Sequence, residues 1–232
     1  MESSYLLKLD QSNQEQKEVD SSFIGGQPCI PASIEMPVCE LCGAEQTFFF
    51  QVAFPEDHVW QGFSMAVFAC TSCAYEDYLI PEMLQVALLS ANIPEGFLDS
   101  YQRNFKIIVF DTNEGTYRKN YKEKIQFKRW NLVSTSGASK GENKIGGQPN
   151  WLLDDEAPGM YKTTVPMFFL MQIWEGFTFD IVQDAPPQMI IGLKGNQEPS
   201  KHRYYELFLA NNLYFFGTKE RSEPLVYILT QI

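Results

Sequence analysis

Histidine is nearly missing: His58 and His202 are the only two in 232 residues. Two histidines exclude a three-His metal site and leave little for His-based catalysis. Positive charge is scarce at the start, where residues 1–100 hold 2 basic and 15 acidic side chains. Residues 25–100 contain no Lys or Arg at all. Long hydrophobic runs are missing too. The longest, such as Val165–Ile173, are strand-sized, which argues against a membrane-spanning helix. Residues 1–10 are too polar for a signal peptide. There is no P-loop, dinucleotide fingerprint, GxSxG elbow or HExxH. These absences predict a cytoplasmic, reduced chain, in which paired cysteines mean metal more often than disulfide.

Apolar residues, by contrast, are plentiful. The chain is 44% hydrophobic and 20% charged, with 18 Phe, 11 Tyr and 4 Trp. Disorder is excluded, and the aromatic load favours strands around a thick core. Predicted strands run over 47–53, 62–69, 104–110, 125–133, 166–173, 188–193, 204–210, 213–217 and 225–229. Asn211-Asn212 reads as a hairpin turn between two of them. Helices are few: 81–91 and 94–104 are the candidates, each with Pro near its start. The expected fold class is mainly β with a few short helices (α+β).

Sliding the sequence along itself exposes a repeat at an offset of 121 residues. Ile24-Gly25-Gly26-Gln27-Pro28 recurs as Ile145-Gly146-Gly147-Gln148-Pro149. At the same offset Glu35 falls on Glu156, Pro37 on Pro158, Phe48 on Phe169 and Gln51 on Gln172. Each unit reads as a Gly-Gly turn, a loop and a strand buried on both faces, with a Gln bonded at the strand end. The pattern predicts an internally duplicated, pseudo-two-fold, β-rich body. Its first half is 1–133, its linker 134–143 and its second half 144–232, the two packing as one domain.

Cys39-x-x-Cys42-Gly43 and Cys70-x-x-Cys73 form two Cys-x-x-Cys knuckles. Two residues between thiols let one tight turn offer both sulfurs to one ion. The knuckles flank the strands at 47–53 and 62–69, the geometry of a zinc-ribbon hairpin. Four thiolates leave no open coordination position, so one structural Zn²⁺ is expected. At the repeat offset Cys39 falls on Met160 and Cys42 on Thr163, so the second half lacks the site. Cys29 is left as a free thiol with no His near it in sequence.

The Gly-Gly-x-Pro element at 25–28, the knuckle at 39–43, the Phe-Phe-Phe-Gln strand at 48–51 and Leu-Tyr-Phe-Phe at 213–216 together resemble the YwqG-like family of bacterial proteins. That family is largely of unknown function, and its association with toxin gene neighbourhoods implies immunity-type binding. The first half also resembles the programmed-cell-death-protein-two family, which implies a cytosolic chaperone of a basic ribosomal protein. Neither resemblance carries catalytic residues. Here the metal knuckles occupy only the first half, a departure from a symmetric pattern.

The leading expectation is a non-enzymatic module binding a basic protein. The formal charge of −11, concentrated in residues 1–100, would steer such a partner. Candidate contacts are Glu56, Asp57, Glu76, Asp77 and Glu82, and the trio Asp154, Asp155 and Glu156 in the second half. A hydrolase using paired carboxylates such as Asp154 and Asp155 is the alternative. Nucleic-acid binding is a further one, through the basic run Arg118, Lys119, Lys122, Lys124, Lys128 and Arg129. The plainer reading of that run is the solvent face of a strand pair.

Overall fold

A computed structural model describes residues 3–12, 15–84, 89–135, 141–220, 222 and 224–232. The chain is mainly β. Ten strands carry the architecture: β1 (Ser4–Leu9), β2 (Phe23–Ile24), β3 (Thr47–Ala53), β4 (Phe63–Ala69), β5 (Phe105–Asp111), β6 (Lys128–Thr135), β7 (Lys144–Gly146), β8 (Val165–Ile173), β9 (Asn212–Thr218) and β10 (Val226–Gln231). They form one sheet in the order β10-β9-β8-β7-β1-β6-β2-β3-β4-β5. Two short strands, Asn92–Ile93 and Met160–Tyr161, extend it to 12. The two halves therefore share a single sheet.

The order reads the same from both edges once each strand is paired with the one five later. At its centre β1 and β6 lie antiparallel, with Leu7 opposite Leu132. β1 pairs on its other side with β7, and β6 with β2. β1 of the first half thus pairs across to β7 of the second, and joins it to β6 at the end of the first half. Register repeats as well: Ile24 faces Phe50 in the first half, and Ile145 faces Met171 in the second. The bulge between Phe48 and Phe50 matches the bulge between Phe169 and Met171. These bulges re-aim the aromatic rows at the same point in each half.

β3 and β4 are buried almost throughout. Phe50, Val52, Met65 and Val67 enter the main core, while Phe48, Ala66 and Phe68 enter a smaller cluster with Phe23 and Tyr121. Alternate residues feed cores on opposite faces, so the strand is apolar without interruption. Burying one such Phe contributes roughly 1.5–3 kcal/mol. The half-sheets are tied by aromatic contacts: Phe50 lies 6.0 Å from Phe215, edge to face. Trp60 donates its indole N–H to the Thr218 carbonyl at 2.9 Å.

Several sequence expectations need correction. Asn211-Asn212 is not a hairpin turn: Tyr204–Glu206 pairs with Thr178–Asp180, off the main sheet. Residues Phe208–Ala210 form a 3-10 turn with φ of 49°, 63° and 54°, which ends that strand early. The helix over 94–104 shrinks to Phe97–Ser100, preceded by Gly96 at φ 78°. Of the helix expected over 81–91, residues 81–84 and 89–91 are not helical, and 85–88 lie outside the described residues. The strand at 188–193 is only Met189–Ile191, paired with Gln197–Pro199. The expected linker 134–143 begins inside β6, and 136–140 lie outside the described residues. No helix among the described residues is long and apolar enough to cross a membrane.

Candidate metal centre and acidic clefts

β3 and β4 form an antiparallel hairpin whose open end is the pair Thr47 and Ala69. Cys39 and Cys42 lie just before it, and Cys70 and Cys73 just after. The first knuckle is a tight turn: Cys39 N–H donates to the Ala44 carbonyl at 2.9 Å, and Gly43 N–H to the Cys39 carbonyl at 2.8 Å. Gly43 sits at φ 74°, where side chains are strained. The second knuckle is anchored by Cys70 N–H on the Asn104 carbonyl at 2.7 Å. Ser72 N–H donates to Cys70 Sγ at 3.3 Å, a contact that orients a ligand sulfur.

The four sulfurs converge. Cys39 and Cys73 Sγ are 3.8 Å apart, Cys42 and Cys70 3.7 Å, and Cys70 and Cys73 3.5 Å. All four lie within 4.8 Å of one another. A zinc ion at about 2.3 Å from each of four sulfurs would set them about 3.8 Å apart. The residues therefore fit one tetrahedral metal ion, such as zinc.

Electrostatics explain why the site asks for a cation. Burial raises the Cys70 thiol to about 11. Burial also raises Cys73, with hydrogen bonds to Cys42 and Cys70 and the charge of Cys70 adding to it. Burial opposes ionisation of Cys42 too, but the Ala44 N–H and the other sulfurs outweigh it and leave that thiol below its usual value. Four sulfurs this close hold their negative charge only around a metal. Lys124 stands beside them, unmarked by any spacing in the sequence. Its Nζ reaches the Glu45 carbonyl at 3.3 Å and Thr47 Oγ1 at 3.4 Å. Burial lowers its pKa, while Glu45 and then Cys70 act to raise it. The second half also packs on the knuckle: Met189 N–H donates to the Thr71 carbonyl at 2.9 Å, and Ala74 N–H to Gln197 Oε1 at 3.2 Å.

The acidic candidates fall in three places. Asp77 and Glu82 line a cleft of about 690 Å³ with Glu40 and Arg103, next to the metal knuckle. Glu76 is exposed on the adjoining turn Glu76–Tyr78. Arg103 is restrained there by Glu40 at 3.7 Å and lies over the Tyr78 ring at 5.2 Å. Glu56 and Asp57 rim a different hollow, formed with the second half. Asp57 Oδ1 accepts from the Tyr5 hydroxyl at 2.8 Å. Asp154 and Asp155 are exposed on a turn, where Asp155 Oδ1 accepts from Ala157 N–H at 2.9 Å. Glu156 accepts from Gln231 Nε2 at 2.8 Å, a contact that helps hold the turn to β10.

The basic run is not the face of a strand pair. Arg118 donates to the Pro31 and Ile34 carbonyls, Lys128 pairs with Asp180 at 2.6 Å, and Arg129 with Asp20 at 2.7 Å. These cations mostly tie a long loop and β6 to the body. Cys29 is half-buried, and burial raises its thiol. The two strand glutamines hold equivalent places: Gln51 Oε1 accepts from Cys29 N–H at 3.2 Å, and Gln172 Oε1 from Asn150 N–H at 2.8 Å. Sequence reasoning missed His58, which projects from the β3–β4 loop toward the second half. Its Nδ1 accepts from Trp60 N–H at 3.0 Å, and burial lowers its pKa to about 4. No spacing signal marked it. No protein-family model matches this chain, and no curated protein matches it.

Proposed function

We propose that this chain is a cytoplasmic, zinc-containing, non-enzymatic module that binds a basic protein, in the manner of an immunity protein or a chaperone. The observation that carries the reading is the cleft beside the metal knuckle, where Glu40, Asp77 and Glu82 face solvent and the one Arg is restrained by Glu40 and Tyr78. Residues 25–100, which form both knuckles and most of this cleft, contain no Lys or Arg. A field of one sign raises the encounter rate of a cationic partner and selects against acidic ones. In this reading the zinc is structural: it closes the open end of the β3–β4 hairpin as in a zinc ribbon, and holds the cleft wall in place.

The same reading takes the two halves as products of an internal duplication. Matching register, matching bulges and matching glutamine bonds at one offset support that view. Membership of the YwqG-like family is proposed on the segments 25–28, 39–43, 48–51 and 213–216.

The test is a tagged pull-down from native cytosol at about 0.1 M salt, where the Debye length is about 10 Å. One basic protein should co-purify at near-equal stoichiometry. It should be lost at high salt and in the Asp77→Lys, Glu82→Lys double variant. A bait that retains nothing, or a partner indifferent to both changes, overturns the reading.

A further inference from the structure

Four thiolates around one divalent ion carry two negative charges more than the ion neutralises. The β3–β4 hairpin that supplies them has no cation of its own, since residues 25–100 contain no Lys or Arg. It adds acid instead, with Glu40 inside the first knuckle and Glu45 just after it. Arg103 comes near, but Glu40 engages it at 3.7 Å and the Tyr78 ring lies under it. A compensating charge has to come from a distant stretch of chain. The basic run at 118–129 is such a stretch.

Lys124 is the member of that run that reaches the site. Its Nζ donates to the Glu45 carbonyl at 3.3 Å and to Thr47 Oγ1 at 3.4 Å. Thr47 Oγ1 in turn lies 2.7 Å from Thr71 Oγ1; both residues are buried, and Thr71 directly follows Cys70. Two hydrogen bonds thus link the ammonium to the second knuckle. Both of its acceptors are uncharged, and no carboxylate stands within ion-pair distance of it among the described residues. A half-buried ammonium without an ion pair is costly to hold. The fold nevertheless fixes it from both sides. Tyr121 is buried, and its hydroxyl accepts the Phe48 N–H at 2.9 Å. The Lys124 carbonyl accepts from Val182 N–H at 3.0 Å, and Ile125 bridges to Ile181.

We propose that Lys124 is the counter-cation of the metal centre, an ammonium held in place by both halves to offset the negative charge that four thiolates retain around the ion. The inference rests on the reading of the four thiols as a metal site and deepens it. Burial disfavours the charge of Lys124, while Glu45 and then Cys70 favour it. The attraction is mutual: a fixed positive charge near the sulfurs keeps them ionised and lowers the cost of gathering them. Lys124 acts through this field and through the Thr47–Thr71 pair, not as a ligand. Groups that support ligands in this way are worth about 10–100-fold in metal affinity. The second half has no cysteine, yet through Val182 it helps to build the metal site of the first.

The test is zinc competition on the whole chain. The zinc-loaded wild type is titrated with a chromophoric chelator beside Lys124→Met, Lys124→Gln and Lys124→Arg. Lys124→Met keeps the apolar stem, Lys124→Gln keeps a donor, and Lys124→Arg keeps the charge. Zinc affinity should fall at least about tenfold in Lys124→Met and Lys124→Gln, and stay close to wild type in Lys124→Arg. Loading with cobalt(II) adds a readout that packing alone does not move. A nearby cation stabilises the sulfur electrons, so the thiolate-to-cobalt charge-transfer band should shift to lower energy in Lys124→Met and Lys124→Gln only. Unchanged zinc affinity in Lys124→Met, an equal loss in Lys124→Arg, or an unshifted band overturns the counter-cation and leaves the metal site standing. A wild-type chain that binds no zinc overturns the metal site, and this inference with it.

Discussion

The two halves close the same turn by different means. In the first half the residues before β3 form the Cys39–Ala44 turn, and its sulfurs join those of Cys70 and Cys73. In the second half the residues before β8 form a turn at the equivalent place, with Met160 and Tyr161 paired to Pro166 and Val165. Lys162 and Thr163 there take φ of 55° and 63°. Tyr161 is buried, and Met160–Tyr161 also pairs in parallel with Asn92–Ile93. Lys162 adds an ion pair to Glu95 at 2.9 Å. One half thus anchors its turn with four sulfurs arranged for a metal; the other uses an aromatic ring and a strand pair. A tight turn at a sheet corner needs one external anchor, and chemically unrelated anchors serve.

Removing each anchor sharpens that contrast, and the metal should matter most. Apparent zinc affinities of small structural sites are about 10–16 kcal/mol, so chelation or Cys39→Ser or Cys73→Ser should abolish cooperative folding of the first half. Metal content by mass spectrometry, and thermal melts with and without chelator, measure this. A metal-free chain with an unchanged melt would show that the thiols only pack.

Tyr161→Ala removes the second half's anchor and should cost about 3–5 kcal/mol, read from denaturant midpoints. Chelator should shift the melt of that variant further, because the anchors are independent.

Acid should weaken the contact that His58 makes across the halves. Its folded pKa of about 4 lies below the ordinary value of 6.5. The unfolded chain therefore binds the extra proton first, and stability falls as pH drops from about 6.5 toward 4. The loss is about 3 kcal/mol at most, since one pKa unit is about 1.4 kcal/mol. His58→Asn, which keeps an acceptor for Trp60 N–H, should flatten the melting temperature across that window.

The smallest expected difference lies between Gln51→Leu and Gln172→Leu. Each removes one bond to a backbone N–H and one to a backbone carbonyl at an equivalent position, so each should cost about 1–3 kcal/mol. A large disparity in urea midpoints would show that the halves are alike in register only.

Much of this was legible from spacing and pattern. The two knuckles identified the four sulfurs, since ligation depends on a local turn that few residues define. The unbroken apolar runs at 47–53 and 166–173 identified the strands buried on both faces. The 121-residue offset identified the matched turns and glutamines. Pattern failed where nonlocal contact decides: 204–206 pairs with 178–180 and not with β9, because residues 208–210 turn away with positive φ. It failed at 94–104, where Pro near the start suggests a helix that extends only over Phe97–Ser100.

The sequence by itself determined which residues are chemically able to hold a metal, which strands are greasy on both faces and where acid accumulates. Only the tertiary structure decided that β1 crosses to pair with β7 of the opposite half, that Lys124 stands beside the sulfurs, and that Glu56 and Asp57 face the second half rather than the metal cleft. The reason is physical. Spacing encodes what a turn or a strand does within a few residues, whereas those three facts depend on side chains and backbone that lie tens of residues apart and meet only when the whole sheet closes.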